Sequence, residues 1–244
     1  MRFVTLFVCL LLFVGSVGFS VGESSPRGPD LTAQKAGLTG FNDIVGAWRG
    51  VGMPKRQSNR EAWSEKARWV WRFTETQAIV EYKIEKGKLL KAATITYSPK
   101  DERLHLTAKL ADGSTRDYAG KQVDARFVFE SEPDKAGEVH RLSIKRHNFK
   151  RTLVLLEKRK ATQTLYSRVA EIGYTREGTR LAARNRSGPV CIVTGGLGTS
   201  QVSYQGKKYW VCCTGCREAF DDDPAGVIAE AKERAEEKAK DDDQ

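Results

Sequence analysis

The sequence predicts a mainly β protein: an antiparallel up-and-down barrel, then a small β-hairpin and helix unit, then a C-terminal helix. Three observations carry this reading. From Phe41 to about Arg176, short runs alternate apolar and polar residues between turn signals, and helix-length periodicity is scarce. Four of the five cysteines, Cys191, Cys212, Cys213 and Cys216, crowd into the last quarter of the chain. Beyond them the sequence turns alanine-rich and charged.

At the N-terminus, Met1-Arg2 precedes an uncharged run from Phe3 to Val14 and then the small residues Gly15, Ser16, Gly18, Ser20 and Gly22. That basic, apolar, small-residue order is the order of a secretory signal, which assigns residues 1–22 as a signal peptide of an exported, periplasmic or extracellular protein. The alternative is an uncleaved membrane anchor, because Phe3 to Gly22 is about long enough to span a bilayer. Cys9 lies in mid-run, away from the small-residue end where a lipid-modified cysteine belongs, and receives no role. Residues 23–40 are rich in Ser, Pro and Gly with little to bury, and read as a flexible lead without a fold of its own.

The β domain, 41–176, reads strand by strand. Trp69, Trp71 and Phe73 share one face, as do Val80, Tyr82 and Ile84, and then Ala93, Ile95 and Tyr97. Leu104, Leu106, Ala108 and Leu110 alternate with polar residues, Asp112-Gly113 supplies a hairpin turn, and Phe127 with Phe129 and Leu142 with Ile144 continue the series. Later strands run from Thr152 to Leu156 and from Thr164 to Ala170. About eight to ten strands at spacings of about ten to twelve residues fit a sandwich or a barrel, and barrel closure removes the exposed edges. The first strand, Ile44-Val45-Gly46-Ala47-Trp48, is similar to the Gly-x-Trp opening of lipocalin-like barrels. On this reading Trp48, Trp63, Trp69 and Trp71 either line a cavity for an apolar ligand or form the core.

Residues 177–187 read as an arginine-rich linker, 188–228 as the cysteine unit and 229–244 as a charged helical tail. The net charge of +10 is uneven: residues 217–244 hold 5 basic and 11 acidic side chains, so the tail is strongly acidic and the body strongly basic. Because Lys and Arg alternate with apolar residues, most read as solvated strand faces. No specific nucleic acid partner is expected, and the basic residues suit at most an anionic envelope surface. The three histidines, His105, His140 and His147, show no ligand spacing, and no nucleophile elbow, phosphate loop or paired-carboxylate signature occurs. A non-enzymatic protein is expected.

The chemistry therefore rests on the cysteines. Cys212 and Cys216 lie four apart at a strand-to-helix turn, and the hairpin that follows Cys191 returns the chain to them. Thiolates so gathered suit a soft metal ion, zinc or copper(I), and tetrahedral zinc asks for four donors. The rivals are disulfides, which export would favour, and thiol exchange through Cys213-Thr214-Gly215-Cys216 at a helix N-terminus. No thioredoxin-like alternation of strands and helices surrounds that motif.

Pro189-Val190-Cys191, the Tyr204 to Tyr209 hairpin, Trp210 to Cys216, Phe220 and Asp223-Pro224 together resemble the TRASH or YHS family of small metal-binding modules over about 45 residues. The resemblance implies a small treble-clef-like unit that handles zinc, copper or another heavy metal in sensing, trafficking or resistance, with Cys191, Cys212 and Cys216 as ligands of one ion. Gly188 stands where relatives often have Asp or Cys, and Ile192-Val193 replaces Gly-Met, so the fourth donor is open. Cys213, Asp221, Asp222, a water or a partner's ligand are the candidates. Two further readings stand beside it: a barrel that carries an apolar ligand with the cysteine unit as a structural staple, and a thiol-disulfide exchange protein.

Overall fold

In a computed structural model, which describes residues 31–178 and 188–242, ten antiparallel strands close into a barrel. They are β1 (Gly46–Met53), β2 (Trp63–Phe73), β3 (Ala78–Glu85), β4 (Leu90–Ser98), β5 (Arg103–Leu110), β6 (Thr115–Val123), β7 (Arg126–Glu130), β8 (Glu138–Asn148), β9 (Arg151–Lys160) and β10 (Ser167–Arg176). Each pairs with its sequence neighbour, and β1 closes the ring by pairing with both β2 and β10: Gly50 stands between Glu65 and Tyr174. This is the up-and-down barrel that the alternation predicts. The expected signal peptide, the first part of the lead and linker residues 179–187 lie outside the described residues. Among the described residues, no helix is long and apolar enough to cross a membrane.

The period-two residues form the interior, since successive strand side chains face opposite sides. Trp69, Trp71, Val80, Tyr82, Ile95, Leu106, Phe129, Leu142 and Ile144 are all buried. Trp69 stacks on Tyr82 at 3.8 Å between ring centroids, and Phe41 stacks on Phe127 at 3.9 Å. Gly50 and Gly52, the inward residues of β1, lie beneath the rings of Tyr174 and Trp63, where a Cβ would overlap them. Trp48, Trp69 and Trp71 are therefore core. A cavity of about 340 Å³ lies elsewhere, lined by Leu89, Leu110, Tyr118, Leu156 and Val169 among others. One carboxylate is buried with the aromatics: Glu65 accepts hydrogen bonds from the Tyr174 hydroxyl and from Trp63 Nε1, and Tyr174 also bonds Tyr82. Burial raises the pKa of both tyrosines well above the usual value, so both hydroxyls stay protonated, Tyr174 donating to Glu65.

Four expectations need correction. The lead is not featureless: Leu31–Leu38 form a helix, α1, followed by a 3-10 turn at Thr39–Phe41. Leu38 and Phe41 are fully buried, so two apolar side chains in a polar stretch suffice to seat it. Strand β1 starts at Gly46 rather than Ile44, because Ile44 and Val45 both donate backbone hydrogen bonds to the Phe41 carbonyl. Gly46 then turns the chain at φ +129, a conformation that favours glycine. Strand β6 has no counterpart in the sequence reading, since Tyr118 is its one fully inward apolar side chain. Strand β10 starts at Ser167 and not at Thr164; the residues before it form a turn in which Arg159 Nη1 donates to the carbonyls of Lys160, Ala161 and Gln163.

The outer face behaves as a solvated strand surface. Arg72 and Lys83 share Glu81, Arg141 pairs with Glu157, and Lys158 and Lys160 share Glu138. Asp134 anchors the turn before β8 by accepting hydrogen bonds from the amides of Ala136 and Glu138 at 2.9 and 3.0 Å. The Glu138 amide first, then the His140 side chain, hold its pKa at about 2, below the ordinary 3.8. A depressed carboxylate pKa contributes above its unfolded value and is lost as the pH falls through its folded value. Amide hydrogen exchange at residues 134–140 is accordingly expected to speed up between about pH 4 and pH 2; exchange there that does not respond to pH beyond its intrinsic chemistry contradicts the anchor.

Candidate metal centre

The chain from residue 188 builds a clip on local rules. Strands β11 (Ser200–Tyr204) and β12 (Lys207–Val211) pair as a hairpin. Its two turn residues, Gln205 and Gly206, both have positive φ, 47° and 75°, the tight turn whose twist matches the flanking strands. Before the hairpin, the chain reverses at Cys191: its amide donates to the Gly196 carbonyl at 2.6 Å and its carbonyl accepts from the Gly195 amide at 2.8 Å. Ile192 then donates to the Trp210 carbonyl at 2.8 Å, which places Cys191 beside the end of β12. Cys212 follows β12, and α2 (Thr214–Asp222) begins with Cys213 as its N-cap. Gly215 therefore lies in the first turn of the helix. Helix α3 (Pro224–Asp242) follows, with Pro224 at its first position and Asp223 Oδ1 accepting from the Gly226 amide at 2.9 Å.

Three of the predicted residues meet. The Sγ atoms of Cys191, Cys212 and Cys216 all lie within 4.8 Å of one another, and Cys212 and Cys216 are 3.5 Å apart. The three residues are between 0 and 5 % exposed. A Zn–S bond of about 2.3 Å in a tetrahedron separates sulfurs by about 3.8 Å, so this trio can close around a soft ion by small side-chain rotations. Cys213 is half-buried and faces the barrel: its Sγ accepts a hydrogen bond from the Trp71 backbone amide of β2 at 3.4 Å. It also interacts with the thiols of Cys212 and Cys216. Asp221 and Asp222 are exposed on α2 and join no donor group with the thiols among the described residues.

The thiols share their protons unequally. Hydrogen bonds from Cys212, then Cys216, draw the Cys191 pKa down to about 2, and bonds from Cys212, then Cys216, draw Cys213 to about 3. The same contacts raise the other two: Cys212 chiefly through Cys191, and Cys216 chiefly through Cys191, then Cys212 and Cys213, with burial adding in both. Metal binding has to displace the protons that Cys212 and Cys216 hold, so uptake by the cluster is pH-dependent and releases protons. The cationic Arg176 lies close enough to Cys212 to interact electrostatically; burial lowers its pKa to about 10, which leaves it charged at neutral pH.

The cysteine unit is seated on the barrel. The buried core runs without a break from the barrel into Cys191, Cys212, Cys216, Phe220 and Val227. Gly215 lies against the Trp71 carbonyl, Arg72 bonds Glu218 at 2.8 Å, and Lys35 of α1 bonds Glu230 of α3 at 2.8 Å. Asn42 bridges both parts: its Nδ2 donates to the Thr194 carbonyl at 2.6 Å, and its Oδ1 accepts from Trp71 Nε1 at 3.2 Å. Nothing in the local sequence marks Asn42, Trp71 or Thr194 as neighbours of the thiols, because their contacts span tens to hundreds of residues.

A second donor group, Asp134, Glu138 and His140, also comes together although sequence spacing did not single it out. Its atoms are committed elsewhere. Asp134 holds its turn and His140, and Glu138 pairs with Lys158 and Lys160. His105 sits exposed beside Asp101 at 3.2 Å. The chain matches no protein family and no curated protein.

Proposed function

We propose that this is a non-catalytic metal-binding protein that holds one zinc or copper(I) ion through Cys191, Cys212 and Cys216, with Cys213 as the nearest further donor. The observation that carries the reading is the convergence of Cys191 with the sequence-distant pair Cys212 and Cys216 at one buried point. Buried polar groups need partners, and a soft cation satisfies all three at once. The thiol spacing and the Tyr204 to Tyr209 hairpin fit the TRASH or YHS type of module, which points to metal sensing, trafficking or resistance. A signal-like N-terminus adds an exported setting, where a bound metal keeps neighbouring thiols from oxidising to disulfides.

The barrel supports an apolar carrier less well, since Trp48, Trp69 and Trp71 are packed core. Thiol exchange through Cys213 and Cys216 is hampered by the complete burial of Cys216.

The test is metal analysis of protein prepared and loaded under reducing conditions. One equivalent of zinc or copper(I) is expected, together with protection of three or four thiols from an aromatic disulfide reagent. Protein that takes up neither ion while all four thiols of the cluster react freely overturns the proposal.

A further inference from the structure

We infer that Asn42 is a positioning residue of the thiol site, and that through it the barrel tunes metal affinity; the inference rests on the metal-binding reading proposed above. Asn42 belongs to the short connection between the 3-10 turn and β1, so it is covalently part of the barrel end and not of the cysteine unit. Its two amide atoms face in opposite directions. Nδ2 donates to the carbonyl of Thr194, and Oδ1 accepts the indole proton of Trp71.

Both partners reach the thiols. Thr194 lies in the turn that Cys191 opens, its Oγ1 contacts Cys212 Sγ at 3.7 Å, and its side chain and backbone hydrogen-bond the Cys191 thiol. Trp71 donates its backbone amide to Cys213 Sγ. One asparagine therefore fixes the loop of Cys191 and the strand behind Cys213 at a set separation. Gly196 also lies close to this side chain: a Cβ added there would come within 3.1 Å of Asn42 Cβ. Groups that orient ligands in this way change metal affinity by about 10- to 100-fold when removed.

A carboxylate at this position keeps size and shape, and keeps the acceptor for Trp71, but loses the donor and sets a negative charge against the Thr194 carbonyl. Asn42→Asp is the informative variant. Cobalt(II), titrated into the reduced full-length protein and followed by its thiolate charge-transfer absorbance, is the probe. The expected result is a Kd for cobalt raised by about 10-fold or more in Asn42→Asp, with unchanged near-ultraviolet circular dichroism from the barrel aromatics. The comparison variant is Lys35→Met, which removes the Lys35–Glu230 tether without touching the ligand loop and is expected to shift Kd by less than about threefold. If Asn42→Asp perturbs the barrel signal, Asn42→Ser takes its place, since it is too short to bridge both partners, with the same loss expected.

The linkage has a second readout. Metal that binds only the docked state raises the unfolding temperature of the wild-type protein, and this rise should shrink in Asn42→Asp. Wild-type cobalt affinity in the asparagine variants, or an equal loss in Lys35→Met, overturns the role of Asn42 while leaving the metal site standing. A wild-type protein without the charge-transfer band overturns both.

Discussion

Cys216→Ser is expected to lower zinc affinity by about 100-fold. Structural zinc sites in small modules release on the order of 10–16 kcal/mol on binding, so one donor of three or four accounts for about 3 kcal/mol, or two powers of ten in Kd. Serine cannot compensate, because its hydroxyl stays protonated at neutral pH and its hard oxygen is a poor match for a thiolate-preferring ion. The loss should also be felt in folding. Cys216 is fully buried beside Cys212, in the same core as Phe220 and Val211, so without metal the clip is left with a small hairpin and the short helix α2. Competition against a chromophoric chelator measures the affinity, and thermal unfolding with and without zinc measures the linked stability. Cys213→Ser provides the internal contrast: its sulfur faces the Trp71 amide and lies outside the mutual trio, so its loss should cost less than that of Cys216. Unchanged zinc affinity in Cys216→Ser removes that thiol from the coordination sphere.

Why the barrel could be read from the sequence and its docking surface could not follows from the range of the interactions. Trp69, Trp71 and Phe73 announce β2 because a strand's two faces alternate residue by residue, and a buried face needs a repeating apolar signal. Where the interior position is small, the signal vanishes: in β1 the inward residues after Trp48 are Gly50 and Gly52, and the rings that fill their space come from Tyr174 and Trp63. Strand β6 is silent for a related reason, since its inward face is Tyr118 and Gly120 with charged residues around them. The thiol trio was legible because two of its members obey a local rule, the four-residue spacing across a helix start, and a Gln-Gly turn returns the chain toward the third. The contacts that hold this trio against the barrel obey no local rule. Asn42 meets Thr194 across 152 positions, and Trp71 meets Cys213 across 142. Helix α1 shows the limit from the other side: Leu38 and Phe41 look isolated in a polar stretch, and their burial depends entirely on the barrel end waiting for them.

The seat of the cysteine unit is expected to fail on a single added methyl group. Gly215 stands in the first turn of α2 with its Cα against β2, and a Cβ there would overlap the carbonyl oxygen and carbon of Trp71. On intrinsic propensity alone, Gly215→Ala should stabilise the helix by about 1 kcal/mol. The clash outweighs this, because the opposing atoms are backbone in a paired strand and cannot rotate away: Trp71 is fixed opposite Val80 in the ladder with β3. Overpacking against a rigid neighbour costs about 1–3 kcal/mol and occasionally more, so α2 should instead lift off β2. Lifting it draws Cys216 from Cys191, and separates the Cys213 thiol from the Trp71 amide. Gly215→Ala is therefore expected to lower the unfolding temperature of the metal-loaded protein by about 5–10 °C, the shift that 2–3 kcal/mol produces in a chain of this size, and to weaken zinc binding in the same preparation. Calorimetry of the metal-loaded wild type and variant decides it. An unfolding temperature equal to or above wild type would mean that the helix propensity gain prevails and that α2 is not seated on Trp71.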